Sequence, residues 1–338
     1  MHSTLGRMRV GLLGAGGVVK DMHLPVLRNL DDVTVLWVCD KDFDRARKLA
    51  RLFGVRSAYR SITECSDVDI VLVAIPVGYR HEVMDDIFRR GWNVFCEKPF
   101  ALSRAEHEQY VASARANHLQ IGVGFLRRYG PATLKAREIV AGRHLGDLVK
   151  VWASEGFRTK RTGKDSGWYM TDPRVVGGGV LMETGSHLID QLCTILGVSS
   201  FGIQSCTQTR YADLDFETRI EGFLSSDRDA HVPATIEVSR LEDLCNGIFL
   251  QFRSVLLKCG LFFEGTLELL TPDGQPIARL ESDGGARTLG QALFLEWKDF
   301  VGQCRTGEPS YVDADTAIQS TAIIEQCYDI CSRTGSTV

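Results

Sequence analysis

Apolar residues in the first 124 positions come in short unbroken runs rather than in alternation. "MRVGLLG" (8–14), "VTVLWVCD" (33–40), "DIVLVAIP" (69–76), "WNVFCE" (92–97) and "QIGVGF" (120–125) are apolar almost throughout. Such runs suit parallel strands covered on both faces. Between them, "FDRARKLARLFG" and "HEVMDDIFRRG" show helical spacing, the second closed by Gly91. Ser103 and Glu106 have capping-box spacing at the head of a further helix. Strand and helix in alternation predict right-handed βαβ units and a doubly wound parallel sheet.

Past residue 125 the pattern changes. "GPATLKAREIVAG" predicts a helix, with Pro131 near its start and Gly142 after its end. "LMETGSHLIDQLCTILG" predicts another, with Leu181, Leu188, Leu192 and Ile195 on one stripe. Residues 200–282 switch to a period of two: Ala234, Ile236, Val238; Ile248, Leu250, Phe252; Leu267, Leu269. Turn signals such as "SSDRD" and "PDGQ" separate these runs. Two helices close the chain, the last near 313–333, with Asp313 as candidate cap and Gly335 beyond it. The expectation is two α/β domains. Residues 1–124 form a doubly wound parallel sheet, and residues 125–338 a domain with a large, mostly antiparallel open sheet.

Composition narrows the partners. At 338 residues the chain suits two cores, and 44% hydrophobic content is ordinary for a globular protein. A formal net charge of −4 argues against a nucleic-acid binder. "MHSTLGRMRV" has no apolar signal region and no run approaches a membrane span, so a cytoplasmic protein without a membrane partner is expected. Ten cysteines are scattered without a CxxC pair. They read as reduced, buried thiols, and no metal site is expected.

The first chemical signal is "GLLGAGGVV", between the first strand and the first helix. Gly14 and Gly16 stand where a tight turn and a close pyrophosphate approach exclude side chains. Gly17 and Val18 begin the helix whose free N–H groups and dipole favour phosphate. The third position of G-x-G-x-x-G is Val19, a departure that bears on helix–strand packing. Asp40 ends the second strand, where an acid accepts hydrogen bonds from ribose hydroxyls and repels a 2′-phosphate. NAD is therefore expected over NADP. Lys41 and Arg45 soften that preference, or simply belong to a solvated basic face with Arg47, Lys48 and Arg51.

Strand ends of a doubly wound sheet share one crevice. Ile75 and Pro76, with His81 beyond them, and then Glu97 and Lys98 should therefore border the cofactor. A partly desolvated Lys98 could hold a substrate oxygen or exchange a proton with it; a structural ion pair is the alternative. Much later, "GGGVLMETGSHLID" places Glu183 and His187 four apart, on one helical face, with Asp190 three further on. A histidine beside a carboxylate suits a general base for an alcohol proton. The same spacing could hold a metal, but no third ligand stands out, and a satisfied structural histidine is the other alternative.

With "GLLGAGGVVKDMHLPVL", "VAIP", "CEKPFALS", "GFLRRYGPA" and "GWYMTDPRVVGGGVLMETGSHLIDQL", the chain resembles the Gfo/Idh/MocA family. The resemblance implies a Rossmann domain followed by an α/β domain whose open sheet makes subunit interfaces, hence a homodimer or homotetramer. It implies hydride transfer between a nicotinamide and a hydroxyl carbon of a sugar or cyclitol. By that resemblance Lys98 contacts the reacting oxygen and His187 is the acid/base. Glu183 replaces the family's usual aspartate, and Tyr169 stands where members often have arginine. Arg128 matches a family arginine near the site and is by that resemblance a cofactor-binding candidate, or makes a surface salt bridge.

"GFRTKRTGKDSGWY" crowds Arg158, Lys160, Arg161 and Lys164 into one loop before the histidine segment. It reads as a solvated loop, or as a grip on a phosphorylated or nucleotide-linked substrate, with Arg158 and Arg161 foremost. Two rivals to the dehydrogenase reading stand: an NAD-dependent glycoside hydrolase, and a non-catalytic NAD-binding regulator. Retention of Lys98 and His187 counts against the regulator.

Overall fold

A computed structural model describes residues 6–158, 172–263, 265–282 and 284–334. The chain divides into two compact units: Met1–Ala101, Ala105–Gly124 and Leu293–Thr316 form the first, and Leu102–Arg104, Phe125–Ala292 and Ala317–Val338 the second.

The first unit carries six strands: β1 (Met8–Leu13), β2 (Val33–Cys39), β3 (Ser57–Tyr59), β4 (Ile70–Val73), β5 (Asn93–Cys96) and β6 (Ile121–Val123). They pair in parallel in the order β3-β2-β1-β4-β5-β6. Strand order reverses between β1 and β4, so their carboxyl ends open a crevice there. The apolar runs are the strands for the expected reason: all four β4 residues are fully buried. Strand β3 was not foreseen, because its three residues are only half-buried and form no apolar run.

Helices α1 (Leu24–Leu27), α2 (Phe43–Phe53), α3 (His81–Arg89) and α4 (Arg104–Ala116) follow the strands. Helix α2 starts at Asp42, whose side chain accepts from Arg45 N–H, and ends at left-handed Gly54. A wider, π-helical turn, Val19–His23, precedes α1. Val19 is fully buried in it, so the bulk that departs from the glycine fingerprint is taken up where the helix widens.

The second unit holds α5 (Pro131–Ala141), β7 (Leu148–Gly156), α6 (Pro173–Val176) and α7 (Ser186–Leu196). Strands β8 (Val198–Tyr211), β9 (Leu214–Ser226), β10 (Val232–Ser239), β11 (Gly247–Phe252), β12 (Leu256–Cys259), β13 (Leu267–Leu270) and β14 (Pro276–Leu280) follow. The sheet order is β14-β13-β12-β11-β7-β10-β9-β8, antiparallel except for β7 against β10. Inward residues at the expected period of two, such as Ile236, Val238, Ile248 and Leu250, are fully buried with Leu188 and Ile189 of α7. Strand β7 lies at the centre of the sheet, yet the sequence hides it. Its buried Ser154 and Glu155 are satisfied by the Cys245 carbonyl (2.5 Å) and by Arg127 (2.6 and 2.8 Å).

Helices α8 (Leu289–Thr306) and α9 (Ile318–Thr334) close the chain. The expected second domain of 125–338 is interrupted here, since Leu293–Thr316 belongs to the first unit. The reason is aromatic: Trp297 stacks on Phe95 of β5 at 4.5 Å, and Phe300 meets it edge-on at 5.4 Å. Asp313 accepts Asp315 N–H at 2.9 Å, so it caps the short 3₁₀ turn Ala314–Ala317 that leads into α9. Eight of the ten free cysteines are buried, Cys39, Cys96 and Cys193 among them.

Candidate active site

In the first unit the site is built on the turn after β1. Gly14 has φ +110°, and a Cβ there would lie 2.4 Å from the Ala74 carbonyl oxygen. Only glycine fits. A Cβ on Gly16 would meet nothing within 4 Å, so open space stands beside the turn where the helix from Gly17 and Val18 begins. The half-buried Asp40 carboxylate straps this turn to the end of β2. One oxygen accepts Ala15 N–H at 2.8 Å, the other Asp42 N–H at 2.9 Å. Each oxygen has a second lone pair with which to accept from a hydroxyl. The glycine turn, open cradle and anchored acid suit a dinucleotide's pyrophosphate and ribose. Lys41 sits over the Tyr79 ring at 4.7 Å, and Arg45 pairs with Asp42 at 3.3 Å; both are exposed.

Beyond β4, half-buried Ile75 and Pro76 lead to exposed His81 at the start of α3. Sequence reading missed Arg80 between them. Its buried guanidinium donates to the carbonyls of Ile75 (3.2 Å from both Nε and Nη2), Phe100 (3.0 Å) and Pro99. Arg80 thus ties the β4 loop to the β5 loop.

Strand β5 is followed by Glu97, Lys98 and Pro99, all half-buried, and the Lys98–Pro99 peptide is cis. Glu97 Oε1 lies 2.8 Å from His23 Nε2, and Oε2 accepts Lys98 N–H at 3.2 Å. Burial acts to raise the Glu97 carboxyl, but the hydrogen bond from His23 and the nearby positive charges of Lys98 and Arg80 outweigh it. The net direction is down, so Glu97 is a carboxylate at neutral pH.

In the second unit the glycine segment 177–179 leads into a π-helical turn, Leu181–Gly185, and then α7. Glu183 lies within that turn and His187 on the first turn of α7. Glu183 forms an ion pair with Arg240 of the β10 end, its side chain 46% exposed. His187 is half-buried and meets Phe125 edge-on at 6.1 Å. Asp190 turns inward. It takes Arg128 in a bidentate pair at 2.8 and 2.5 Å, both side chains 2% exposed. The surface salt bridge considered for Arg128 is therefore a buried one, and burial still raises the Asp190 carboxyl against Arg128's charge.

Asp215 was also missed. This fully buried carboxylate accepts Gly179 N–H (2.7 Å), Leu181 N–H (2.8 Å), Thr218 Oγ1 (3.1 Å) and Tyr328 OH (2.7 Å). It anchors the backbone immediately before Glu183. Nothing local in the sequence marked it, since it lies 36 residues from Gly179. Arg158 N–H donates to Asp243 at 3.0 Å and its Nε to the Leu241 carbonyl at 3.1 Å. Lys160, Arg161, Lys164, Trp168 and Tyr169 lie outside the described residues.

Residues 8–125 match the model of the oxidoreductase family with an NAD-binding Rossmann fold, and residues 133–244 match the GFO/IDH/MocA C-terminal domain. The chain belongs to the Gfo/Idh/MocA family. The rhizopine catabolism protein MocA of Rhizobium meliloti is 26% identical over 97% of this chain and 96% of that protein. D-glucoside 3-dehydrogenase of Escherichia coli is 26% identical, over 57% of this chain and 55% of the enzyme. This chain spans about half the length of several such curated relatives in these matches. Among solved structures, aldose–aldose oxidoreductase of Caulobacter crescentus superposes with a TM-score of 0.82, at 17% identity over 98% and 99% of the two chains. A 3-ketoreductase of Actinomadura kijaniata, crystallised with NADP and TDP-benzene, gives 0.80, at 18% identity over 96% and 98%. Among the described residues no helix is long and apolar enough to cross a membrane.

Proposed function

We propose that this protein is an NAD(P)-dependent dehydrogenase or ketoreductase acting on a CH–OH or C=O carbon of a sugar, sugar derivative or cyclitol. The observation that carries it is the β5 end: a lysine between two anchored neighbours, at the carboxyl edge of a sheet whose glycine turn is strapped to Asp40. When bound, a nicotinamide dinucleotide supplies reversible two-electron chemistry at carbon.

The chain's own residues do the rest. Gly14, Gly16, Gly17 and Val18 would hold the pyrophosphate, and Asp40 the adenosine ribose. Ile75, Pro76, His81 and Glu97 would border the nicotinamide end. Lys98 holds the substrate oxygen and steadies negative charge on it, a contribution on the order of 3 kcal/mol. His187 takes the hydroxyl proton in oxidation and returns it in reduction. Arg128 suits a positioning role better than a cofactor contact, since Asp190 on the His187 helix holds its guanidinium. Glu183 and Arg240 together offer a charged pair to substrate hydroxyls. A phosphorylated or nucleotide-linked substrate would draw on Arg158 and Arg161. Relatives named for glucoside, inositol and nucleotide-sugar chemistry support the substrate class.

Assembly as a homodimer or homotetramer through the second sheet belongs to the same proposal, and so does action in the cytoplasm. Trp152 and Phe249 stack at 4.7 Å on that sheet, and Lys150, Arg219 and Glu237 line a cleft on it.

A panel of sugars, sugar phosphates, nucleotide sugars and inositols, scored for NADH or NADPH formation, tests the activity. Lys98→Ala should cut kcat on any accepted substrate by about 100-fold or more while still binding NADH. Normal turnover by that variant would overturn the assignment. Glycoside cleavage without net NADH formation would favour the hydrolase reading.

A further inference from the structure

We propose that Trp297 and His23 are positioning residues that fix the Glu97 carboxylate and, through it, the backbone of Lys98; this rests on the reading of Lys98 as the residue that holds the substrate oxygen. The chain of contacts starts from a group with only one option. An indole N–H can donate and never accept. Trp297 Nε1 lies 2.9 Å from His23 Nδ1, so that ring nitrogen accepts and carries no proton. The ring proton is therefore on Nε2, which donates to Glu97 Oε1 at 2.8 Å. The other carboxylate oxygen accepts Lys98 N–H at 3.2 Å. Three stretches of sequence, around residues 23, 97 and 297, meet in this one line.

Packing leaves the line little freedom. His23 and Trp297 are fully buried. Phe95 stacks on Trp297 at 4.5 Å and meets His23 edge-on at 5.9 Å. Past Lys98, Arg80 holds the carbonyls of Pro99 and Phe100. The residues on either side of Lys98 are thus each tied to the fold by a buried polar side chain.

Stability alone does not call for this arrangement. Burying an imidazole, an indole N–H and a carboxylate costs desolvation that three apolar side chains would avoid. What the polar set adds is direction: one tautomer, one carboxylate orientation and one place for the Lys98 amide. Comparable outer partners of site residues change activity by about 10–100-fold when removed.

The test uses the full chain and three variants. Trp297→Phe keeps the ring on Phe95 and removes only the N–H. His23→Leu removes both contacts. His23→Gln keeps an amide able to donate to Glu97. Without cofactor or substrate, ¹⁵N spectra of the histidine side chains should show one ring, absent in His23→Gln, as the Nε2–H tautomer. Trp297→Phe should leave the ring as Nε2–H, held by Glu97, and shift the Nδ1 resonance, because that nitrogen loses its N–H donor. In turnover, Trp297→Phe and His23→Leu should lower kcat about 10-fold with KM for NADH within about 2-fold. His23→Gln should recover most of the loss.

A His23 signal of the Nδ1–H form, or one unmoved in Trp297→Phe, would overturn the proposal. So would full kcat in a folded Trp297→Phe or His23→Leu variant. The spectra need no turnover, so wild-type protein inactive on every substrate would sink the oxidoreductase reading while the tautomer still decides the contact chain.

Discussion

At the scale of single residues, two carboxylates of the first unit do different work. Asp40 gives each oxygen one backbone N–H and keeps further lone pairs to accept with. Its negative charge repels a 2′-phosphate, so fluorescence titration should show tighter binding of NADH than NADPH. Asp40→Ser should narrow that ratio by about 10-fold, the worth of some 1.4 kcal/mol. Glu97 is held below the ordinary carboxylate range despite its burial. A lowered folded-state pKa gives stability that is present above the ordinary value and lost as pH falls through the folded one. The melting-temperature advantage of wild type over Glu97→Gln should accordingly shrink as pH falls from about 6 to about 3. A constant gap across that range would show that the Glu97 charge does not contribute.

Among the elements, the glycine segment before α7 has the tightest constraints. A Cβ on Gly179 would come within 1.9 Å of the Asp215 carbonyl oxygen, and one on Gly178 within 2.0 Å of Tyr328 OH. The backbone is drawn onto β9 and α9 because Asp215 needs those N–H donors once it is buried. Asp215→Ala should cost about 3 kcal/mol in urea unfolding, since it strands two backbone donors and the Tyr328 hydroxyl. Tyr328→Phe should cost less, about 1 kcal/mol, because Asp215 keeps its other partners. In the same segment Glu183 pairs with Arg240 from the end of β10, a partner that no local pattern marks.

For the whole molecule, the position of Leu293–Thr316 in the first unit makes that unit discontinuous in sequence. A fragment ending at Gly124 would leave the Phe95 ring without Trp297 and Phe300, and His23 without its donor. Such a fragment should aggregate or unfold without cooperativity in circular dichroism. Fusing residues 293–316 to it should restore a cooperative transition and NADH binding. Cooperative folding of the short fragment would show that this return is dispensable.

Five of the six strands of the parallel sheet, the glycine turn, Asp40 and the EKP turn were legible in the sequence because each rests on a local rule. Strands buried on both faces must be apolar throughout, a tight turn at positive φ must be glycine, and a helix must cap its first N–H groups. The period-two strands of the second sheet follow from the same kind of rule, whereas the strand order of the first is read from the fold. What only the tertiary structure decided are the pairings of polar groups remote in sequence: Arg128 with Asp190, Asp215 with Gly179 and Tyr328, Arg80 with three carbonyls, His23 with Glu97 and Trp297. The physical reason is one of range. Hydrophobic patterning is written residue by residue, whereas a buried donor needs some acceptor, and only the folded chain determines which one lies within 3 Å.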